Sequence, residues 1–463
     1  MLSKKVSKKL LPVAILSSLV VGSSVGVFGN EVEAKPGNNK AKIHNVIFLI
    51  GDGMGTSYTS AYRYLKDDPS TLYTENTAFD DDLIGMQETY SWDEEESITD
   101  SAAAATSMAT GIKTYNNAIA VDMEKNEAKT ALEQAKEEGK STGLVATSQV
   151  NHATPASFGA HDESRHNYND IADDYFDEKV DGVHKVDVIL GGGTSYFDRE
   201  DRNLTEEFKE DGFSYVDSRE EMVNDDNEQV LGLFAPKGMD KMIDRTEDVP
   251  SLAEMTSSAL DRLNKNKDGF FLMVEGSQID WAGHDNDVVS AMSDMEDFEQ
   301  AYQEAIEFAK KDKHTLVITT ADHSTGGMAM GRDGEYKWDP EPIKAAKRTP
   351  DFMAAKISDG DDVEETLAKY IDLELTNEEV QSVKDAATNG STTEIDNAIE
   401  RIFDIRSGTG WTTGGHTGED VIVYGYGPQS EKFAGLHDNH EIGQKVMEVL
   451  SDNEKSPKKA HKK

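Results

Sequence analysis

Four short apolar runs in this chain each border a knot of acidic residues and histidine. Phe270-Phe271-Leu272-Met273-Val274 ends at Glu275 and is soon followed by Asp280-Trp281-Ala282-Gly283-His284. Ile47-Phe48-Leu49-Ile50 runs into Gly51-Asp52-Gly53, and Thr315–Thr320 runs into Asp322-His323. Gly415-His416 stands just before Val421-Ile422-Val423-Tyr424. Apolar runs of this length beside turn residues read as buried strands. An Asp in a glycine-rich turn is, taken alone, usually a turn former. Four such borders, all supplying Asp, Glu or His, suggest a multi-metal site along one edge of a sheet. Asp280 and His284, four residues apart, can meet one ion from a single helical turn.

Strand-like and helical patterns alternate between these runs. Strands are expected at 43–50, 143–147 and 186–190, and helices at 99–110, 129–138, Leu252–Leu263 and 288–310. The last helix follows Asp285-Asn286-Asp287, a good N-terminal cap. This alternation implies an α/β fold, a central mainly parallel sheet with helices on both faces. Ligands of such sheets bind beyond the carboxyl ends of the strands. Residues 324–415 differ: glycine-rich turns and Pro340, Pro342 and Pro350 lead into acidic helical sequence with a capping box at Thr376-Asn377-Glu378-Glu379. They read as a largely helical insertion beside the site. Gly191-Gly192-Gly193 lacks the Lys-Ser/Thr of a P-loop and reads as a tight turn.

Composition narrows the chemistry. The 463 residues include no cysteine, which excludes disulfides, thiolate metal sites and cysteine nucleophiles. Zinc would have to be held by His and carboxylate. Lys4, Lys5, Lys8 and Lys9 precede an apolar stretch, 10–27, and Val32-Glu33-Ala34 fits a cleavage site. Residues 1–34 therefore read as a secretory signal peptide, with an apolar part too short for a membrane span. The mature chain is expected to be secreted or at the cell surface, without a membrane span. Residues 35–450 read as a single domain, and 451–463 as a basic disordered tail. The formal net charge is −42, and about −44 without residues 1–34. Such a surface argues against nucleic acid as a partner. It fits a solvated shell, or weak calcium binding at stretches such as Asp80-Asp81-Asp82. His44, His166, His184, His314, His437, His440 and His461 read as surface or capped residues.

Ser101, in Thr99-Asp100-Ser101-Ala102-Ala103, reads first as a helix N-cap. A helix N-terminus also favours an anion. No base is adjacent in sequence, so a nucleophile there would need a metal to lower its pKa.

The motifs Gly51-Asp52-Gly53-Met54-Gly55, Asp100-Ser101-Ala102, Glu275-Gly276-Ser277-Gln278-Ile279-Asp280 with Gly283-His284, Thr320-Ala321-Asp322-His323-Ser324 and Gly415-His416-Thr417 resemble those of alkaline phosphatases, in the family order. The resemblance implies a secreted, homodimeric phosphomonoesterase acting on small phosphate monoesters through a phosphoserine. It assigns Asp280, His284 and His416 to a first zinc and Asp52, Asp322 and His323 to a second. Asp52, Thr154 and Glu275 go to a third ion, usually magnesium. Ser101 matches the nucleophile and Arg165 the arginine that holds substrate phosphate. Two zinc ions about 4 Å apart can clamp the attacking and leaving oxygens of an in-line displacement. Two positions depart from the enteric form: His152 stands where that form has Asp, and Trp281 where it has Lys. His152 adds a nitrogen donor and opens the third site to zinc or cobalt. Trp281 removes a cation near the phosphate. Related readings are a phosphodiesterase, a phosphate mutase or a sulfatase of the same superfamily. The diesterases usually use Thr, and the sulfatases a modified Cys or Ser followed by a Pro-containing motif that is absent here. A reading from another class is a non-catalytic, acidic calcium-binding secreted protein, which leaves the ordered ligand set unexplained.

Overall fold

The computed structural model describes residues 42–451. The expected signal peptide, and all but the first residue of the basic tail, lie outside the described residues. Ten strands form one sheet. In chain order they are β1 Asn45–Gly51, β2 Leu83–Glu88, β3 Ser141–Gln149, β4 Val188–Gly192, β5 Ser214–Val216, β6 Val230–Leu233, β7 Phe270–Gly276, β8 Thr315–Thr320, β9 Val421–Tyr426 and β10 Gly435–Asp438. Across the sheet they run β10-β2-β9-β8-β1-β7-β3-β4-β6-β5. Every neighbouring pair is parallel except those made by β9, which runs against both β8 and β2.

The middles of the central strands are apolar because both their faces are covered. In β1, Ile47 and Leu49 join one core, while Val46, Phe48 and Ile50 join the core on the opposite face. β7 divides likewise, with Phe270, Leu272 and Val274 against Phe271 and Met273. This is the period-2 alternation of a strand between two helical layers. Each such side chain stabilises the fold by about 1.5–3 kcal/mol through burial. A polar residue in mid-strand would forfeit this, so the polar residues gather at the strand ends.

Register then aligns those ends. Ile50 pairs with Glu275 of β7 on one side and Thr320 of β8 on the other. Two residues beyond, Asp52 and Asp322 leave adjacent parallel strands at the same level.

The Ser101–Thr110 helix is buried on all sides, which its run of alanines permits. Its cap is Asp100, whose side chain accepts from Ala103 N at 2.9 Å, so Ser101 is the first helical residue and not the cap. Gly111, left-handed at φ 74°, closes it. The triple glycine does not form a free turn. Gly191 and Gly192 finish β4, and a Cβ on Gly192 would fall 1.8 Å from the Lys237 carbonyl oxygen. His184 is buried rather than at the surface, among Phe176, Phe208 and Phe213 and bonded to Asp211. Between β8 and β9 the chain forms helices Glu341–Lys344, Pro350–Ser358, Val363–Tyr370, Asn377–Asn389 and Thr392–Ser407. The Thr376–Glu379 capping box is formed. Among the described residues no helix is long and apolar enough to cross a membrane.

Candidate metal centre

The carboxyl ends of β1, β7 and β8 deliver Asp52, Glu275 and the Asp322-His323 pair to one place. Gly53 turns the chain just past Asp52 at φ 71°, and a Cβ there would fall 2.8 Å from the Asp280 Cα. Glycine is therefore needed both for the backbone angle and for the close approach. Asp280 and His284 project from one turn of the Gln278–Asp285 helix that follows β7, with His284 Nε2 3.3 Å from Asp280 Oδ2. His416 arrives on a short ribbon, His416–Thr417 paired with Ser324–Thr325. Because β9 is antiparallel, a residue before it reaches the same edge as residues after β1 and β8.

Each histidine is oriented by its outer nitrogen. His416 Nδ1 bonds the Thr99 carbonyl at 2.8 Å, and His284 Nδ1 the Gly414 carbonyl at 2.8 Å. A carbonyl only accepts, so both Nδ1 atoms carry a proton and Nε2 is the atom each ring turns to the centre, where the bond to Asp280 raises His284 to about 9. Those two Nε2 atoms face each other at 3.1 Å. His323 Nδ1 lies 3.2 Å from Thr325 Oγ1, and its Nε2 lies 3.4 Å from Asp52 Oδ1 and 3.1 Å from Asp322 Oδ2. The same Nε2 is 3.1 Å from Ser101 Oγ.

Buried acceptors around Ser101 lack partners. Both carboxylate oxygens of Asp52, Glu275 Oε1, Asp322 Oδ2 and Thr154 Oγ1 are buried without hydrogen bonds, as is His152 Nδ1. An interior carboxylate normally has a donor or a cation. Ligand atoms of Asp280, His323 and His416, of Asp52, Asp322 and His323, and of Asp52, His152 and Glu275 fall into three sets, each within 4.8 Å. The electrostatics agree. Burial, then the charges of Asp280, Asp322 and Glu275, push Asp52 well above the usual carboxylate range. Burial raises Glu275 to about 7. Burial would raise Asp280 too, but His284, His323 and His416 hold it low. Burial, then the Arg165 charge, drives His152 down to about 3, which keeps its imidazole neutral. The donor set fits cations that take nitrogen and hard oxygen ligands.

Arg165 lies over this centre. Its Nη1 donates to Asp100 Oδ2 at 3.0 Å, and its Nη2 is 3.2 Å from His152 Nε2. Asp100 thus caps the Ser101 helix with one oxygen and fixes the arginine with the other, a role the sequence reading did not give it. Its signal was available: an Asp directly before an alanine-rich helix is a strong N-cap. Thr325, which donates to Asp280, and Ser148, which donates to Glu275 Oε2 at 3.2 Å, were also missed. Neither carries a local motif. Trp281 stands edge-on to His152, ring centroids 5.6 Å apart. A cavity of about 500 Å³ lined by Thr99, Asp100, Asn116, His284 and His416 opens the centre to solvent.

A buried serine at a helix start, an arginine and a polynuclear ligand set at the carboxyl edge of an α/β sheet define a metal-dependent hydrolase. Residues 43–451 match the model of the alkaline phosphatase family, and the chain belongs to that family. It is 65% identical to alkaline phosphatase 3 of Bacillus subtilis over 97% of this chain and 98% of that protein. A cold-active alkaline phosphatase from the psychrophile Shewanella sp. superposes with a TM-score of 0.83 at 42% identity, covering 88% of this chain and 99% of that one. A variant of the alkaline phosphatase of the Antarctic bacterium TAB5, with one histidine replaced by glutamate and Mg bound in its M3 site, superposes with a TM-score of 0.65 at 31% identity, covering 89% and 99%. The chain is a phosphomonoesterase with alkaline phosphatase activity and metal-dependent catalysis, and zinc and magnesium are the ions typical of its family.

Proposed function

We propose that this chain hydrolyses small phosphate monoesters through a phosphoserine on Ser101. Asp280, His284 and His416 would hold one zinc ion and Asp52, Asp322 and His323 a second. Asp52, His152, Thr154 and Glu275 would hold the third ion. The observation that carries this reading is the group of buried, unpartnered acceptors at this strand edge, of which Asp52 and Asp322 share His323 Nε2 with Ser101 Oγ. When bound, the zinc ions supply Lewis acidity that favours the ionised nucleophile and offsets charge on the leaving oxygen. Magnesium in the M3 site of the TAB5 variant supports a third ion site in this chain. Here His152 offers nitrogen.

The chain's own groups do the rest. Asp100 Oδ2 holds one nitrogen of Arg165, which helps to set the plane of its guanidinium. The fork can then receive two phosphoryl oxygens, which a lysine could not do in the same geometry. Ser101 Oγ sits on the first turn of a ten-residue helix, whose free N–H groups favour negative charge there. In the first displacement an Oγ–P bond forms as the ester P–O bond breaks. The alcohol leaves with a proton, and the serine proton passes to solvent. In the second, a water oxygen bonds to phosphorus and the P–Oγ bond breaks. Ser101 regains a proton and inorganic phosphate departs. Positioning and charge stabilisation are what phosphoryl transfer chiefly needs.

The finer assignments rest on the sequence, with residues 1–34 as a secretory signal and a catalytic domain at 35–450 with an insertion at 324–415, and, for a homodimer, on the family resemblance. Light scattering of the purified protein tests the last. The central test is acid quenching during turnover of a phosphate-labelled monoester. Label is expected on the peptide containing Ser101, and label confined to another residue overturns the reading.

A further inference from the structure

Carboxylates crowd a second place, where the inserted helices meet the helix that carries Asp280 and His284. Oxygens of Asp285, Asp396 and Glu400 lie within 4.8 Å of one another. Asp285 ends the Gln278–Asp285 helix, while Asp396 and Glu400 occupy one face of Thr392–Ser407, four residues apart. Asp351, on the first turn of Pro350–Ser358, and Asp287, the cap of Val288–Asp312, add their charges to Asp396. These residues are far apart in sequence, so the cluster is not a solvated charge run on one helix.

The cluster is buried and its charge is not answered. Asp396 is 3% exposed and Glu400 5%. Asp396 Oδ1 and Glu400 Oε1 have no hydrogen-bond partner. Among the described residues Asp285, Asp396 and Glu400 make no ion pair with lysine or arginine. Lys241, whose charge reaches Asp285 and Asp287, donates instead to the Gln278 carbonyl at 3.0 Å. Asp287 turns its Oδ1 to Val289 N and Ser290 N, and Asp404 accepts from Trp411 Nε1 at 3.0 Å. Burial, then the neighbouring carboxylates, push Asp396 up to about 9 and Glu400 to about 11. Without a cation the fold would carry two buried carboxyl groups whose charged forms burial and their acidic neighbours disfavour. An open cavity of about 700 Å³, lined by Asn286, Arg332, Glu400 and Trp411 among others, gives an ion a path to Glu400.

All the donors here are oxygens, unlike the nitrogen-rich set around Ser101. Oxygen-only sites select hard cations. The adaptable coordination of calcium suits carboxylates brought from separate helices better than the strict octahedron of magnesium. We propose that Asp285, Asp396 and Glu400, supported by Asp351, bind a calcium ion that pins the inserted helices to the helix bearing Asp280 and His284.

The test uses the zinc- and magnesium-loaded enzyme, with calcium alone as the probe. Metal analysis after equilibrium dialysis against calcium should find one more calcium per chain in the wild type than in Asp396→Asn/Glu400→Gln, with zinc content equal in both. Calcium should raise the wild-type Tm by roughly 2–5 °C and leave the variant unmoved. Equal calcium content in both proteins overturns the proposal. Should the variant fail to fold, hydrogen exchange on the wild type decides. Calcium should slow exchange in Pro350–Ser358 and Thr392–Ser407, and unchanged exchange at millimolar calcium assigns the cluster to shared protons and overturns the site.

Discussion

Two clusters in this molecule contain similar residues and behave in opposite ways. Glu133, His161 and Glu178 bring ligand atoms within 4.8 Å of one another, as the residues around Ser101 do. Yet every charge in that cluster is answered. Lys185, itself buried, pairs with Glu178 and lies 3.5 Å from Glu133. His161 Nδ1 is 3.0 Å from Glu178 and its Nε2 3.3 Å from the Ala128 carbonyl, so both ring nitrogens face acceptors. Glu133 closes a capping box with Thr130. Around Ser101 the histidines instead turn Nε2 inward, and buried oxygens lack donors. Residue type alone does not mark a metal site. What marks it is whether the chain supplies its own cation, and a single lysine makes the difference.

The contrast can be broken in several ways. Exhaustive chelation is expected to reduce hydrolysis of a phosphate monoester to background, with zinc restoring it; activity in fully metal-free protein would end the two-ion reading. Ser101→Ala should lower kcat by on the order of 10³-fold or more while zinc content stays at the wild-type value, measured by steady-state kinetics beside metal analysis. Lys185→Met tests the other cluster. Leaving Glu133 and Glu178 with a buried deficit should destabilise the fold by roughly 3–5 kcal/mol in denaturant titration, toward the lower end because Glu178 keeps some water contact. Its zinc content should not change; extra zinc bound there would erase the distinction drawn above.

Two smaller effects sharpen it. Trp281 stands beside His152 without a charge, so Trp281→Lys should lower the inhibition constant for inorganic phosphate by a few-fold, about 1 kcal/mol; an equal or higher constant counts against this. His161 is buried, which lowers its pKa, but the bond to Glu178 and the Glu133 charge outweigh burial and raise it. A raised folded pKa stabilises fully below the unfolded value of about 6.5 and is lost as pH rises through the higher folded value. The Tm gap between wild type and His161→Gln should therefore be widest near pH 5–6 and narrow on the alkaline side. A flat gap would mean that His161 stays neutral.

Much of this was legible in the sequence because the sheet forces it. A strand buried on both faces must be apolar through its middle, so Asp52, Glu275 and Asp322 stand out at or just past the ends of β1, β7 and β8. The Asp280–His284 spacing declared its helical turn. His416 was visible as a candidate ligand, but not the reason it precedes its strand, since strand direction is a property of the sheet and not of one run. Asp100 was hidden by its neighbour: attention to Ser101 as a cap obscured the Asp that is the cap. The Asp285–Asp396–Glu400 cluster was illegible, because its members look like surface acids on separate helices until the insertion folds back.

The antiparallel β9 has a consequence in time. His416 is among the last residues of the fold to be made, while Asp52 is among the first, and the site needs both. Contacts this distant in sequence form late in folding. A chain emerging from its amino end therefore holds Ser101, Arg165 and most of the proposed ligands well before it can have a working centre. Partial products of synthesis or proteolysis that stop short of β9 are expected to be catalytically silent, which makes phosphatase activity a reporter that the chain extends through His416 and β9.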